Sequence, residues 1–336
     1  GAMGSMRCVV FNLREEEAPY VEKWKQSHPG VVVDTYEEPL TAKNKELLKG
    51  YEGLVVMQFL AMEDEVYDYM GACKLKVLST RTAGFDMYNA TLLKKHGIRL
   101  TNVPSYSPNA IGEYALAAAL QLTRHAREIE TFVRKRDFRW QKPILSKELR
   151  CSRVGILGTG RIGQAAARLF KGVGAQVVGF DPYPNDAAKE WLTYVSMDEL
   201  LSTSDVISLH MPATKDSHHL INAKTIAQMK DGVYLVNTAR GAVIDSQALL
   251  DSLDKGKIAG AALDAYEFEG PYIPKDNGNN PITDTVYARL VAHERIIYTP
   301  HIAFYTETAI ENMVFNSLDA CTTVLRGEPC AAEIKL

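Results

Sequence analysis

The sequence predicts an α/β protein built on two parallel sheets, and three observations carry the prediction. From Met6 to about Asn102, short Val/Ile/Leu-rich runs alternate with helical patterns, and the same rhythm restarts after Leu149. Such alternation is the mark of βαβ units. The runs of the second series, "RVGILG", "QVVGFD", "DVISLH", "GVYLVNT", "AGAALDAY" and "RIIYTPH", show little polar alternation, as strands covered on both faces do. Finally, three glycines in "GILGTGRIGQ" fall where the first of these strands turns into a helix. A chain of 336 residues is long enough for two such domains.

Taken in order, residues 1–5, "GAMGS", read as an expression-tag remnant. The first series supplies strands at "RCVVFNL", "VVVDTY", "GLVVMQF", "KVLST" and "IRLTNV", with helices predicted over "EAPYVEKWKQSH" and "TAKNKELLKG". Ser107 is a natural N-cap, and Pro108 suits the first helical position, where its missing N–H costs nothing. No glycine or proline interrupts Glu113 to Trp140, so one long helix or two in series is expected there. The apolar face of "YALAAALQL" predicts a homodimer built on residues 107–140. "EGPYIPKDNGNNP" reads as a surface excursion, and "FYTETAIENMVFNSLDACTTVLRG" as helical again.

Composition excludes several classes. The net charge is −3 and no basic block exceeds "VRKRDFR", which argues against a nucleic-acid binder. Five cysteines, odd in number and without a C-x-x-C pair, read as free thiols in a reducing compartment, with no metal site. No apolar run approaches the ~20 residues that span a bilayer. A cytoplasmic protein without membrane contacts is expected.

Gly158, Gly160 and Gly163 form G-x-G-x-x-G between strand and helix. The first permits a tight turn, the second lets backbone approach a pyrophosphate, and the third allows close helix–strand packing. The phosphates would rest on the free N–H groups of the helix N-terminus. The next strand ends at Asp181, eighteen residues past Gly163, close to the usual spacing for the acid that binds the adenosine ribose. Pro182 and Tyr183 follow it, not an arginine. The cofactor predicted is NAD rather than NADP.

Chemistry on a small hydroxy or oxo acid needs a cation for the carboxylate, an acid/base group and a carboxylate to tune it. Arg240 in "LVNTARGAVID", His301 in "IIYTPHIAFYTET" and Glu269 in "LDAYEFEG" each follow a strand, on the edge where open α/β sheets bind ligands. Singly, each also reads as an ordinary loop residue.

Together, "VPSYSPNAIGE", "GILGTGRIG", "VISLHMP", "VNTARG", "LDAYEFEG" and "TPHIAFYT" resemble, in order, the D-isomer-specific 2-hydroxyacid dehydrogenase family from about Met6 to the C-terminus. The resemblance implies that Arg240 binds the substrate carboxylate, His301 is the acid/base and Glu269, chosen over Glu267 from the family's register, supports the histidine. It implies that Asp264 orients the nicotinamide amide. The cofactor site would be lined by Arg161, Ile162, Asp181, His210, Met211, Pro212, Thr238 and Ala239, with Ser217 a further polar contact and Arg240 and His301 within reach. Backbone N–H groups of Ala83 and Gly84, with Tyr106, would hold the substrate, and Phe59, Leu60 and Phe304 would shape its pocket.

The fold implied is two doubly wound parallel-sheet domains, Rossmann-like or flavodoxin-like, with a cleft between them. Residues 6–105 plus 305–336 would form a discontinuous substrate domain and residues 106–304 the NAD-binding domain, with hinges near Pro104–Tyr106 and Ala303–Tyr305. The activity implied is reversible hydride transfer between NADH and a small 2-oxo acid. Phenylalanine after "HIA" points to pyruvate and D-lactate. Larger 2-oxo acids are the alternative, and a non-catalytic NAD-sensing protein is a more distant one.

Overall fold

The computed structural model describes residues 6–336; the segment read as a tag remnant lies outside the described residues. The chain divides into two units, Gly1–Ser107 with Tyr305–Leu336, and Pro108–Phe304.

In the first unit, β1 (Met6–Val10), β2 (Val31–Thr35), β3 (Gly53–Val56), β4 (Val77–Thr80) and β5 (Arg99–Thr101) pair in parallel in the order β2-β1-β3-β4-β5. This is the flavodoxin-like doubly wound order. A short strand, Glu333–Ile334, adds antiparallel to β5. Except in the edge strand β2, the strands are buried along most of their length, with Val, Leu and Cys side chains packed in the two core clusters of this unit. The helix Ala18–Gln26 and the C-terminal helix Glu307–Leu325 cover one face, Trp24 packing with Val314, Leu318 and Cys321. Thr306 caps the latter by accepting the Ala309 N–H at 3.2 Å.

The segment "TAKNKELLKG" differs from expectation: only a 3₁₀ turn, Lys45–Leu48, forms there. Asn44 accepts the Thr41 N–H and donates to the Pro39 carbonyl, local bonds that compete with helix. Arg81 and Glu17 are buried at the carboxyl end of β4, paired through two guanidinium–carboxylate bonds of 2.6 and 3.1 Å. The Arg81 guanidinium also donates to the carbonyls of Phe11 and Asn12. Satisfied in this way, a buried pair fixes the loops it joins.

In the second unit, β6 (Arg153–Leu157), β7 (Gln176–Phe180), β8 (Thr193–Tyr194), β9 (Val206–Leu209), β10 (Val233–Asn237), β11 (Ile258–Leu263) and β12 (Ile296–Tyr298) form one parallel sheet. Its order, β8-β7-β6-β9-β10-β11-β12, is the Rossmann arrangement with an added edge strand. The chain winds outward in both directions from β6 and β9, so ligands are expected beyond the carboxyl ends of those strands. The two-residue strand β8 gave no hydrophobic run for the sequence to reveal.

Residues 108–140 form two helices in series, Pro108–Thr123 and Ala126–Arg134, broken at His125, whose φ is +54°. The face of "YALAAALQL" that suggested a dimer is largely internal. Ala115, Ala118, Ala119 and Leu122 are buried in the unit's own core with Ala166, Ala167 and Phe170. Gly112 lets the first helix come close, since a Cβ there would lie 2.9 Å from the backbone N of Ala166.

Candidate active site

Each element of the second unit delivers its candidate residue just past the carboxyl end of a strand. The glycine turn follows β6, Asp181 follows β7, and His210 follows β9. Thr238 to Arg240 follow β10, Asp264 follows β11 and His301 lies three residues past β12.

The glycine turn leaves open space at the start of the helix that follows it. Gly158 has φ +93°, and a Cβ there would lie 2.6 Å from the His210 carbonyl, while one on Gly163 would lie 1.9 Å from the Gly158 oxygen. Those two glycines let the turn and the helix Arg161–Gly172 close up. Gly160 is different: nothing lies within 4 Å of its added Cβ. It caps the helix without a side chain, so an open cradle faces the first-turn N–H groups, which lack intrahelical partners. Two buried polar atoms, His210 Nδ1 and Thr238 Oγ1, have no hydrogen-bond partner among the described residues. They stand at the ends of β9 and β10, where a cofactor's amide and hydroxyl groups can satisfy them. These features fit a dinucleotide.

Asp181 accepts the Thr159 N–H at 2.7 Å and the Tyr183 N–H at 2.9 Å, so it also pins the glycine turn. Arg161 is exposed at the helix start, Ile162 is half-buried and Met211 joins the core, with Pro212 exposed beside it. The Ser217 hydroxyl is buried, donating to the Pro212 carbonyl at 2.6 Å and accepting the Thr214 N–H at 2.9 Å. These bonds organise its own loop. The His210 ring exchanges a bond with Ser208 at 2.8 Å, and burial pushes its pKa down to about 4, so it is neutral near pH 7.

The remaining residues form one cluster. Asn237, fully buried at the end of β10, accepts the Ala239 N–H and donates to the Arg240 carbonyl, which sets the turn from which Arg240 projects. The next residue, Gly241, lies flat on the Tyr266–Glu267 backbone; a Cβ would be 2.3 Å from the Glu267 N. This contact brings the arginine loop against the Glu269 loop. The Arg240 side chain is exposed and makes no hydrogen bond or ion pair among the described residues.

Glu269 Oε1 lies 2.9 Å from Nδ1 of His301. The carboxylate holds the imidazolium and raises the histidine's pKa, against the opposing effects of burial and of Arg240 nearby. His301 itself has φ +57°, a backbone region few non-glycine residues adopt. Asp264 holds it there. Its carboxylate accepts the Thr299 hydroxyl at 2.7 Å and the N–H groups of Ile302 and Ala303, both at 2.9 Å. Burial pushes the Asp264 pKa up, and those three bonds oppose the shift. The sequence assigned Asp264 a part toward the cofactor, but gave no sign that most of its bonding capacity goes to the histidine turn.

The first unit carries the other candidates. The carbonyls of Ala83 and Gly84 are taken by Asn102 and Thr82, while their N–H groups have no acceptor among the described residues. Tyr106 accepts a bond from Asn312 through its carbonyl. Phe59 and Leu60 are exposed, with Arg14 over the Phe59 ring. Phe304 is half-buried at the end of the second unit.

Residues 116–303 match the family described as D-isomer specific 2-hydroxyacid dehydrogenase, NAD binding domain. A D-lactate dehydrogenase from Streptococcus agalactiae is 42% identical over 321 residues, covering 95% of this chain and 97% of that protein. The chain belongs to the D-isomer specific 2-hydroxyacid dehydrogenase family.

Other members agree. A D-2-hydroxyacid dehydrogenase (NAD(+)) from Clostridioides difficile is 41% identical, with 96% of this chain and 97% of that one covered. The solved structure of a D-2-hydroxyisocaproate dehydrogenase superposes with a TM-score of 0.91 at 36% identity, covering 98% of this chain and 99% of that one. This 2-hydroxyacid dehydrogenase is thus an NAD-dependent oxidoreductase whose glycine turn, Arg240 and His301 lie beyond the carboxyl ends of one sheet's strands.

Proposed function

We propose that this dehydrogenase interconverts pyruvate and D-lactate with NADH, and that Arg240, His301 and Glu269 carry the reaction. The observation supporting it most directly is the Glu269–His301 pair at 2.9 Å beside an arginine that has no partner among the described residues. Arg240 binds the substrate carboxylate, ideally through two parallel N–H bonds. When bound, the dinucleotide supplies the hydride that reduces the 2-oxo carbon. His301 donates the proton the carbonyl oxygen requires, and accepts it back in the oxidative direction. Glu269 favours the charged imidazole and fixes the ring through Nδ1, leaving Nε2 for substrate.

The same proposal assigns cofactor contacts to Gly158, Gly160, Arg161, Ile162, Gly163, Asp181, His210, Met211, Pro212, Ser217, Thr238, Ala239 and Asp264, with Arg240 and His301 also within reach of the cofactor. It assigns substrate contacts to Ala83, Gly84, Tyr106, Phe59, Leu60 and Phe304. The preference for pyruvate is supported by the D-lactate dehydrogenase relative and by Phe304 after the histidine. The D-2-hydroxyisocaproate dehydrogenase likeness favours larger acids as the second reading. We further propose a cytoplasmic homodimer; the five free cysteines suit a reducing compartment.

NADH oxidation with pyruvate, 2-oxoisocaproate and phenylpyruvate tests the reading. Pyruvate is expected to give the highest kcat/KM, with D-lactate and not L-lactate oxidised in reverse. A tenfold preference for either larger acid would overturn the choice of pyruvate.

A further inference from the structure

The proposed mechanism asks Glu269 to keep one oxygen on His301, which raises the matter of what holds the other. Oε2 receives the Tyr266 N–H at 3.1 Å and the Tyr298 hydroxyl at 3.4 Å. The Tyr298 hydroxyl is also 2.6 Å from that of Tyr287. A carboxylate can only accept, and a phenol has one proton to give. If Tyr298 gave its proton to Tyr287, its lone pairs would face the Glu269 carboxylate. The arrangement that satisfies all three groups runs from Tyr287 to Tyr298 to Glu269.

Both phenols are held from behind. Tyr298 ends β12, three residues before His301. Tyr287 is buried, and its ring stacks on Tyr266 at 4.6 Å and meets the Tyr298 ring edge-on at 5.4 Å. The Tyr266 hydroxyl donates to Asp284 at 2.6 Å, and Asp284 caps the helix Thr285–Ala292 through the Val286 and Tyr287 N–H groups. The helix cap, the ring stack and the hydroxyl pair therefore form one support ending at Glu269.

We propose that Tyr298, backed by Tyr287, is a positioning residue for the Glu269–His301 pair. Its hydroxyl binds Oε2, so the carboxylate's charge is shared between the phenol and the imidazolium. The inference rests on His301 as the acid/base. The charged or titratable groups facing this pair are Asp264 and Arg240 on the histidine side. Glu267 lies near Tyr266, and Tyr272 near Tyr287. Tyr298→Phe alters none of them and removes one oxygen. Glu269 then has one donor fewer, its charge falls more fully on the imidazolium, and the midpoint of His301 rises.

Imidazole titration by NMR of the full-length, histidine-labelled protein reads this without turnover, with His301→Gln identifying the His301 signal among eight histidines. In folded Tyr298→Phe the midpoint is expected to rise by about half a unit, from the loss of one hydrogen bond to a charged group. The alkaline limb of pyruvate reduction should move the same way, with KM for NADH unchanged. Tyr287→Phe should move both in the same direction by less. A Tyr298→Phe midpoint at or below that of the wild type overturns the proposal. If that variant does not fold, the Tyr287→Phe midpoint decides in the same sense. A wild-type enzyme inert toward 2-oxo acids, or a fully active His301→Gln, would instead sink the acid/base reading, and the NMR midpoint would still report whether the hydroxyl acts on the pair.

Discussion

Asp264 holds His301 through the backbone around it: the carboxylate takes the Thr299 hydroxyl on one side of the histidine and the N–H groups of Ile302 and Ala303 on the other. The left-handed φ of His301 is thereby fixed by three bonds from a buried acid. Asp264→Asn should lose at least one of these acceptors and leave a buried donor unsatisfied, costing roughly 1–3 kcal/mol of stability. Removing the negative charge also lowers the pKa of His301. Thermal unfolding should show a lower Tm, and the alkaline limb of pyruvate reduction should move down. An unchanged Tm together with an unchanged limb would show that the carboxylate is dispensable to the turn.

The direction of the His301 shift sets a pH dependence. Its pKa lies above 6.5 because Glu269 holds the imidazolium. Reduction requires the charged form, so it proceeds below that raised pKa and fails as pH rises through it. Oxidation requires the neutral form and shows the opposite limb. The charge-stabilising contribution to folding likewise is full below the unfolded value and fades as pH rises through the folded one. Glu269→Gln should move the reductive limb downward. A limb that does not respond to Glu269→Gln would remove the carboxylate from this role.

His301→Ala should lower pyruvate reduction by about 10²–10⁴, the usual worth of general acid catalysis, while NADH still binds. Retention of activity within threefold of wild type would remove His301 from the chemistry. Arg240→Lys tests the grip on the carboxylate, since a single ammonium cannot reproduce two parallel N–H bonds. An unaltered KM and kcat for pyruvate would count against it.

Much of this was legible in the sequence, for physical reasons. Unbroken Val/Ile/Leu runs exposed the strands, and glycines with fixed spacing exposed the turn between β6 and the helix after it. Arg240, Glu269 and His301 were legible as members of ordered motifs, though each alone resembled a loop residue. What stayed hidden depends on three-dimensional closure. Nothing in "LVNTARG" says that Gly241 must lie on the Tyr266–Glu267 backbone, nor does "RIIYTPH" announce a phenol behind Glu269. Two helices in series were one of the expectations, but the position of the break was hidden, because His125 is neither glycine nor proline.

On the proposed assignment Asp181 has a double part, and the two parts can be separated. Its carboxylate is suited to the adenosine ribose and repels a 2′-phosphate, and it also holds Thr159 and Tyr183. Asp181→Ala should weaken NADH use, narrow the gap to NADPH and lower Tm through the loosened turn. A lower Tm with the NADH/NADPH ratio unmoved would leave Asp181 as a structural anchor alone.

The proposed dimer must use a surface other than the buried alanine face. Large apolar side chains do crowd the surface just beyond it: Val133 is 50% exposed, Phe138 71%, Trp140 100% and Leu145 78%. Single exposed apolar residues are ordinary, but four within thirteen residues of chain are a dense local concentration, and contiguous exposed apolar surface is what partners cover. Trp and Phe are also the side chains that bring most area to an interface. A second copy of the chain is the simplest partner. Sedimentation at micromolar concentration should therefore give about twice the 37.3 kDa chain mass. The double variant Phe138→Asp, Trp140→Asp should shift it to the single chain while the unit stays folded, since neither side chain contributes to its core. A wild-type protein sedimenting only as the single chain, or a double variant still fully dimeric, would eliminate this surface as the interface.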